Sequence, residues 1–139
     1  MPMTAKEYLR QPFKLDRKLR VLQEKVDKLR SALDYRSPSL GGTGGSSGSE
    51  RIPDTISKIV EYEQRADELR AEYVQIFVEV DKTILAVTDE TLHEVLERRY
   101  LLYQRWDQIA AEMHYSERHI KRLHGNALEK VKMSLNVTI

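Results

Sequence analysis

The sequence has no cysteine and almost no glycine outside one short stretch. A chain without cysteine forms no disulfide framework and no thiolate metal site, and this composition is typical of a reducing compartment. No apolar run approaches the roughly 20 residues that cross a membrane, and the amino terminus lacks the apolar core of a signal peptide. We therefore expect a cytoplasmic protein that has no membrane partner.

The formal net charge of +1 hides three blocks of alternating sign. Residues 1–49 carry ten Lys and Arg against five Asp and Glu, a net of +5. Residues 50–97 carry five against thirteen, a net of −8, and residues 98–139 carry eight against four, a net of +4. The first block is therefore basic, the second acidic and the third basic again, and this asymmetry is more informative than the total.

The first block predicts an amphipathic helix over residues 1–36. Thr4 and Glu7 have the spacing of a capping box, so we expect a helix to begin near Ala5. Pro12 disfavours helical geometry at Gln11 and predicts a kink or restart there. Beyond it, leucine and valine recur at intervals of four and three, which is a heptad seam. The seam consists of Leu15, Leu19, Leu22, Val26, Leu29 and Leu33.

A Gly/Ser-rich tract separates the first block from the second. Residues 37–51 cannot build a core, and their glycines make ordering costly, so they predict a flexible linker. Pro53 suits the first turn of a helix, and we expect a long acidic helix over 52–88. Its apolar residues also follow a heptad register. They are Ile52, Ile56, Ile59, Ala66, Tyr73, Phe77, Val80, Ile84 and Val87.

Opposite charges on the two helices favour their pairing over self-association, which predicts a long antiparallel, coiled-coil-like hairpin. The alternative is that each helix merely presents a solvated charged face. The second helix is longer than the Leu15–Leu33 seam. Its distal stripe must therefore be covered by the C-terminal domain or by a second subunit, because so long an exposed stripe is a liability.

Residues 89–133 predict a helix-turn-helix domain, followed by a frayed tail over 134–139. Thr88-Asp89-Glu90 supplies cap chemistry for a helix that continues to about Tyr103, and Ser116 can cap the last helix. Between them lies a short helix, Trp106 to Met113, which ends at His114.

The junction of the last two helices has the residue types that a steep helix crossing needs. Ala110 supplies the small residue at the crossing, and His114 stands where the turn needs left-handed geometry. We expect Tyr115 to plug the turn. Four apolar residues would form the shared core, namely Ile109, Met113, Ile120 and Leu123.

The outward face of the last helix is polar and basic. In a helix-turn-helix the first turns of the second helix enter the major groove of DNA. We therefore predict double-stranded DNA as the partner, although a charged solvent face on an ordinary bundle is the simpler alternative. The predicted DNA-binding residues are Ser116, Glu117, Arg118, His119, Lys121 and Arg122.

At these residues the chain resembles region 4 of sigma-70-type transcription initiation factors. The likeness covers residues 95–131, VLERRYLLYQRWDQIAAEMHYSERHIKRLHGNALEKV. The whole layout also resembles small phage- and prophage-encoded proteins of Gram-positive bacteria related to the ArpU/RinA-type late regulators. That second likeness includes TAKEYLRQ (Thr4 to Gln11), the variable linker and RRYLLYQRWDQIA (Arg98 to Ala110).

The resemblance implies a regulator of phage late genes. In region 4 the places held here by Glu117, Arg118 and Arg122 read promoter bases, and that of Lys121 contacts the backbone. The first two residues are Glu-Arg here, where the family has Arg-Glu. Because nothing corresponds to the sigma regions that open the promoter, we expect an activator or late-gene regulator. RNA polymerase is a second candidate partner.

Other residues do not predict an enzyme or a metal site. The spacing of His114, His119 and His124 by five places them on different faces of a continuous helix, so we expect no metal or other cofactor. We expect His119 and His124 to contact phosphate. Trp106, Tyr100 and Tyr103 are expected in the core or at its edge.

The sequence thus predicts an all-α protein, a helical hairpin followed by a helix-turn-helix domain. We expect a sequence-specific DNA-binding regulator that works as an oligomer, with a dimer favoured, and that has no small-molecule substrate. Two alternatives remain. One is a phage DNA-packaging small subunit, and the other is a protein-binding adaptor whose acidic second helix is its working surface.

Overall fold

The computed structural model describes residues 3–36 and 46–135, and the regular structure of these residues is entirely helical. The all-α fold predicted from the sequence is therefore confirmed. The helices are α1 (Ala5–Leu9), α2 (Gln11–Arg36), α3 (Ser46–Leu85), α4 (Glu90–Leu96), α5 (Trp106–Met113) and α6 (Glu117–Ser134), with a π-helical turn, Glu97–Leu101, between α4 and α5.

The amino-terminal segment, predicted as an amphipathic helix over 1–36 with a kink or restart at Pro12, restarts there and forms two helices. Thr4 caps α1 by accepting a hydrogen bond from the Glu7 amide at 3.1 Å, as its spacing predicted. The break falls at Arg10, two residues before Pro12. Proline has no amide hydrogen and is best tolerated in the first turn of a helix, so α2 restarts just ahead of it.

The second predicted helix begins earlier and ends sooner than residues 52–88. It starts at Ser46, so residues 46–51 of the predicted linker are helical and Pro53 lies inside α3. Extending a long helix costs less than nucleating a new one, which lets α3 include these residues. It ends at Leu85, because Asp89 adopts the extended geometry that caps α4. Residues 37–45 of the predicted linker lie outside the described part.

The chain divides into two compact units, and the smaller one is Asp16–Glu72. Here α2 and α3 run side by side: the Lys25 ammonium lies 5.2 Å from the centre of the Tyr62 ring, and Arg30 forms a 2.8 Å ion pair with Glu63. The exposed ion pair adds little stability. The apolar residues of the predicted seams carry the packing. Leu22, Val26, Ile59 and Ala66 are all buried.

The larger unit joins Met1–Leu15 to Tyr73–Ile139, so it is wider than the predicted domain over 89–133. The distal apolar stripe of α3, which includes Val80 and Ile84, is buried in its core together with Val87, which follows the helix. Helices α1, α4 and α6 contribute the other side, and the chain's own helices therefore cover this stripe. The other buried members of this core are Ala5, Leu9, Leu92, Leu96, Tyr100, Leu101, Ala127 and Val131.

The π-helical turn after α4 replaces the regular helix that was expected to reach Tyr103. It ends at Leu101, and the Leu102 amide bonds the Glu97 carbonyl at 3.0 Å, five residues back. Tyr103 then takes a left-handed φ of 58°. The wider turn and this reversal bring the chain to the start of α5. Among the helices described, none is long and apolar enough to cross a membrane.

Candidate nucleic-acid interface

Helix α5 is short and turns one apolar side into the larger unit. Arg105 precedes it in extended geometry, and Ile109 and Ala110 on its inner side are buried. At its first turn Asp107 accepts hydrogen bonds from the Arg105 side chain at 3.2 Å and the Gln108 amide at 2.9 Å. The bond from Arg105 is the main reason why the pKa of Asp107 lies below its usual value. A carboxylate at a helix amino terminus also favours the helix.

The turn between α5 and α6 is built around His114. Its φ of 61° and ψ of 40° are left-handed, as the helix-turn-helix pattern predicted for this position. The amides of His114 and Tyr115 both bond the carbonyl of Ala110, which closes α5. Tyr115 is 42% exposed and packs edge-on against the His119 ring, so its prediction as a buried plug was wrong. The short turn leaves its side chain outside the core.

Helix α6 begins at the predicted cap and packs on α5 through a separate small core. The Ser116 hydroxyl accepts a hydrogen bond from the His119 amide at 3.1 Å. Ile120 is fully buried in a cluster with Val95, Ile109 and Ala110. Because Ala110 has only a methyl group, the two helices can approach closely at this crossing. Trp106, Met113 and Leu123 pack against the same cluster.

The residues predicted to bind DNA lie at the start of α6, and most of them face solvent. Arg118, Lys121 and Arg122 are exposed, whereas the intervening Ile120 is buried. This alternation follows from the 3.6-residue repeat of the helix. Ser116 and Glu117 are also exposed, and His119 is half-buried against Tyr115. The structure thus brings these side chains together on one surface of the larger unit.

The buried side of α6 packs against aromatic side chains. The Tyr100 hydroxyl and Nε2 of His124 lie 2.6 Å apart, and Trp106 packs edge-on against the His124 ring. His124 is only 7% exposed, so its prediction as a phosphate contact was wrong. It follows Arg122 by two residues, which turns it to the opposite side of α6. The expected core positions of Trp106 and Tyr100 are confirmed, with Trp106 at the edge.

Burial sets the ionisation of these side chains. It lowers the pKa of His124 to about 4, helped by the charges of Lys6 and Arg99, so the ring is neutral near pH 7. Burial likewise raises the pKa of Tyr100 to about 12. The Arg99 guanidinium lies 4.2 Å from the centre of the Trp106 ring and donates to the Gln104 carbonyl at 2.9 Å. Burial also lowers the pKa of Arg99.

Arg98 links α5 to α4. Its guanidinium bonds Glu94 of α4 at 2.7 Å and reaches Glu112 of α5 at 3.4 Å. Arg98 and Arg99 are neighbours in the π-helical turn, yet they point to different parts of the unit. The roles of these two arginines, and the Tyr100–His124 pair, were missed by the sequence analysis. Only the run Arg98-Arg99-Tyr100 was a signal, and its partners lie too far along the chain to be read from spacing.

The described residues contain no cluster of three or more His, Asp or Glu side chains that could hold a metal ion. Comparison with protein-family models, curated proteins and solved structures finds no match for this chain.

Proposed function

We propose that this protein is a sequence-specific DNA-binding regulator of phage late genes and that α6 enters the major groove of duplex DNA. One observation carries the proposal: Ile120 is buried against α5, while Arg118 and Arg122, one helical turn apart, project to solvent. Two arginines at this spacing can reach neighbouring base pairs, where guanidinium groups bond the O6 and N7 atoms of guanine.

The electrostatics of the exposed turns suit a polyanion. Arg118, Lys121 and Arg122 give three positive charges against one negative charge, on Glu117. The unbonded amides at the amino terminus of a helix add further positive potential. Attraction to phosphates provides most of the affinity of DNA-binding proteins, and base contacts give the specificity.

The contacts that fix the orientation of α6 also support groove recognition. Base contacts need a helix that keeps one orientation, because small displacements break bidentate hydrogen bonds. The crossing at Ala110, the left-handed His114 and the buried His124 hold α6 at three points along its first half. An ordinary charged helix face has no need of so constrained a junction.

The resemblance to region 4 of sigma factors and to phage late regulators supports the regulatory part of the proposal. Region 4 places its recognition helix in the major groove, at the residues that correspond to Glu117, Arg118 and Arg122. We further propose that two copies bind together, so that two recognition helices reach half-sites about 34 Å apart. Pairing supplies affinity that one small basic surface lacks. RNA polymerase is the proposed partner for activation.

The test begins with mapping DNA occupancy in cells, which identifies the target site. Binding of a duplex carrying that site is then followed by fluorescence anisotropy over a range of salt concentrations. We expect Arg118→Ala/Arg122→Ala to weaken binding by about 2–6 kcal/mol and to lower the salt slope. The matched control is Lys130→Ala/Lys132→Ala, which removes the same charge from exposed positions at the other end of α6.

Equal losses in the two double variants would assign the binding to net charge and reject α6 as the reading helix. The absence of any specific complex of the wild-type protein at about 0.1 M salt would reject DNA binding and favour the adaptor. A ring-like stoichiometry in light scattering would favour the DNA-packaging subunit.

A further inference from the structure

An open groove on the larger unit combines an apolar floor with a carboxylate rim. It encloses about 860 Å³, and Phe77, Val87 and Leu101 contribute to its floor. Leu85 and Leu102 also line it, although 59% and 60% of their surfaces are exposed. Leaving large aliphatic side chains in water is unfavourable, and exposed apolar patches mark contacts with other molecules. The groove therefore has the apolar surface of a protein-binding site.

The rim selects for a cationic partner. Four carboxylates line the groove. Glu94 forms an ion pair with Arg98 at 2.7 Å, whereas Glu97 lies 3.1 Å from Nε2 of His93, a contact that is an ion pair only with a protonated ring. Asp81 and Glu90 form no ion pair within residues 3–36 and 46–135. Their negative potential repels DNA phosphates and attracts lysine or arginine side chains.

A surface with the opposite character lies on α2 in the smaller unit. Lys18, Val21, Lys25 and Lys28 follow one another at intervals of three and four, so they share one face of the helix. All four are exposed, and Val21 keeps 52% of its surface in water. We call these residues the lysine stripe. Their stems add aliphatic surface while the ammonium groups stay hydrated, as a partner for an acidic apolar groove requires.

We propose that the lysine stripe of one copy docks in the acidic groove of a second copy. Lysine ammonium groups meet Asp81 and Glu90 at the rim, and Val21 with the lysine stems covers Leu85 and Leu102. Each copy offers one groove and one stripe, so two such contacts related by a two-fold axis close a dimer. It provides the surfaces for the pairing of copies under the proposed function, yet it does not require DNA.

A charge exchange in the full-length protein tests this contact by sedimentation velocity without DNA. The groove variant is Asp81→Lys/Glu90→Lys, and the stripe variant is Lys18→Glu/Lys28→Glu; Lys25 is kept because it packs on Tyr62. We expect the wild-type protein to associate and each variant alone to be monomeric. An equimolar mixture of the two variants should associate again, because the unchanged stripe of the groove variant meets the unchanged groove of the stripe variant, and the reversed groove meets the reversed stripe.

Two controls separate this contact from general effects. Glu79→Lys/Glu129→Lys changes the net charge as much as the groove variant does, but neither residue lines the groove, so association should persist. Leu102→Ala keeps all charges and should weaken association about tenfold through the lost apolar contact. Circular dichroism melting curves identify any variant that fails to fold.

The proposal is overturned if the wild-type protein is monomeric at tens of micromolar, if the groove variant associates normally, or if the mixture stays monomeric. A stripe variant that associates like wild type but binds DNA with a smaller salt slope would assign the lysines to phosphate contacts. Arg118→Ala/Arg122→Ala should leave association intact, so the failure of DNA binding and the failure of this contact give different results.

Discussion

The Tyr100 hydroxyl and Nε2 of His124 lie 2.6 Å apart in the interior of the larger unit, with the two rings stacked at 5.6 Å. Tyr100 belongs to the π-helical turn and His124 to the middle of α6. The hydrogen bond therefore ties the rotation of α6 about its own axis to the segment that follows α4. Because Arg118 and Arg122 lie on the same helix, this buried pair helps to set the direction in which they point.

Removing the Tyr100 hydroxyl should cost measurable stability. Tyr100→Phe keeps the ring but leaves Nε2 of His124 buried without a partner, and such a group costs about 1–3 kcal/mol. We expect a decrease of that size in the free energy of unfolding in urea. The matched control is Tyr8→Phe, whose hydroxyl contacts Thr83 at 3.1 Å in a half-buried place. Equal losses in the two variants would show that the Tyr100–His124 hydrogen bond contributes no more to stability than the contact between Tyr8 and Thr83.

The His124 ring makes the stability depend on pH in the acid range. Its pKa is about 4 in the folded protein and 6.5 in the unfolded chain. Between these values the unfolded chain binds more protons than the folded protein, so the free energy of unfolding decreases as the pH falls from about 6.5 to 4. The decrease should reach about 2–3 kcal/mol, and urea titrations at several pH values measure it.

Replacement of His124 isolates its part of this effect. His124→Gln retains an amide that can pair with Tyr100 but has no group that titrates in this range. The variant is less stable at pH 7, because glutamine fills the site less well. Its stability should nevertheless change much less than that of the wild type between pH 6.5 and 4. The same steep loss in both proteins would assign the acid sensitivity to other residues.

The left-handed His114 offers a way to stabilise the junction. A side chain at this geometry costs about 1 kcal/mol, which glycine avoids. His114 is exposed, so His114→Gly removes no buried contact and should raise the melting temperature. His114→Val, with a branched Cβ, should lower it. The DNA affinity of the glycine variant should stay near that of wild type, because its outward residues are unchanged; a lower melting temperature for His114→Gly would contradict this account.

The features that the sequence predicted well are those that act over four residues or fewer. Thr4, Asp89 and Ser116 cap their helices because each side chain reaches an amide three residues ahead. His114 is left-handed because a helix must end there for the next one to begin. The apolar stripe of α3 was predicted equally well, since the helical repeat alone brings its members to one face.

The features that were missed depend on partners distant in the chain. His124 looked like one more basic residue of α6, and only the position of Tyr100, 24 residues earlier, places it in the interior. Tyr115 was expected to plug the turn because it follows the left-handed position, but the short turn leaves its side chain outside the core. The start of α3 at Ser46 could not be predicted from residues that favour neither helix nor strand.

Arg122 and Lys121 are adjacent and both exposed, yet we expect them to act differently on DNA. Arg122 lies four residues after Arg118 and shares its face, whereas Lys121 is rotated by about 100° from Arg122. Under the proposed function we expect Arg122 to fork onto a base and Lys121 to contact a phosphate. Arg122→Ala should therefore relax the preference at one base pair, with a loss of about 1–3 kcal/mol against the preferred base only. Lys121→Ala should weaken all sequences alike and reduce the salt slope by about one. Anisotropy titrations against a set of single-base variants of the target separate these outcomes, and uniform weakening by Arg122→Ala would make Arg122 a phosphate contact.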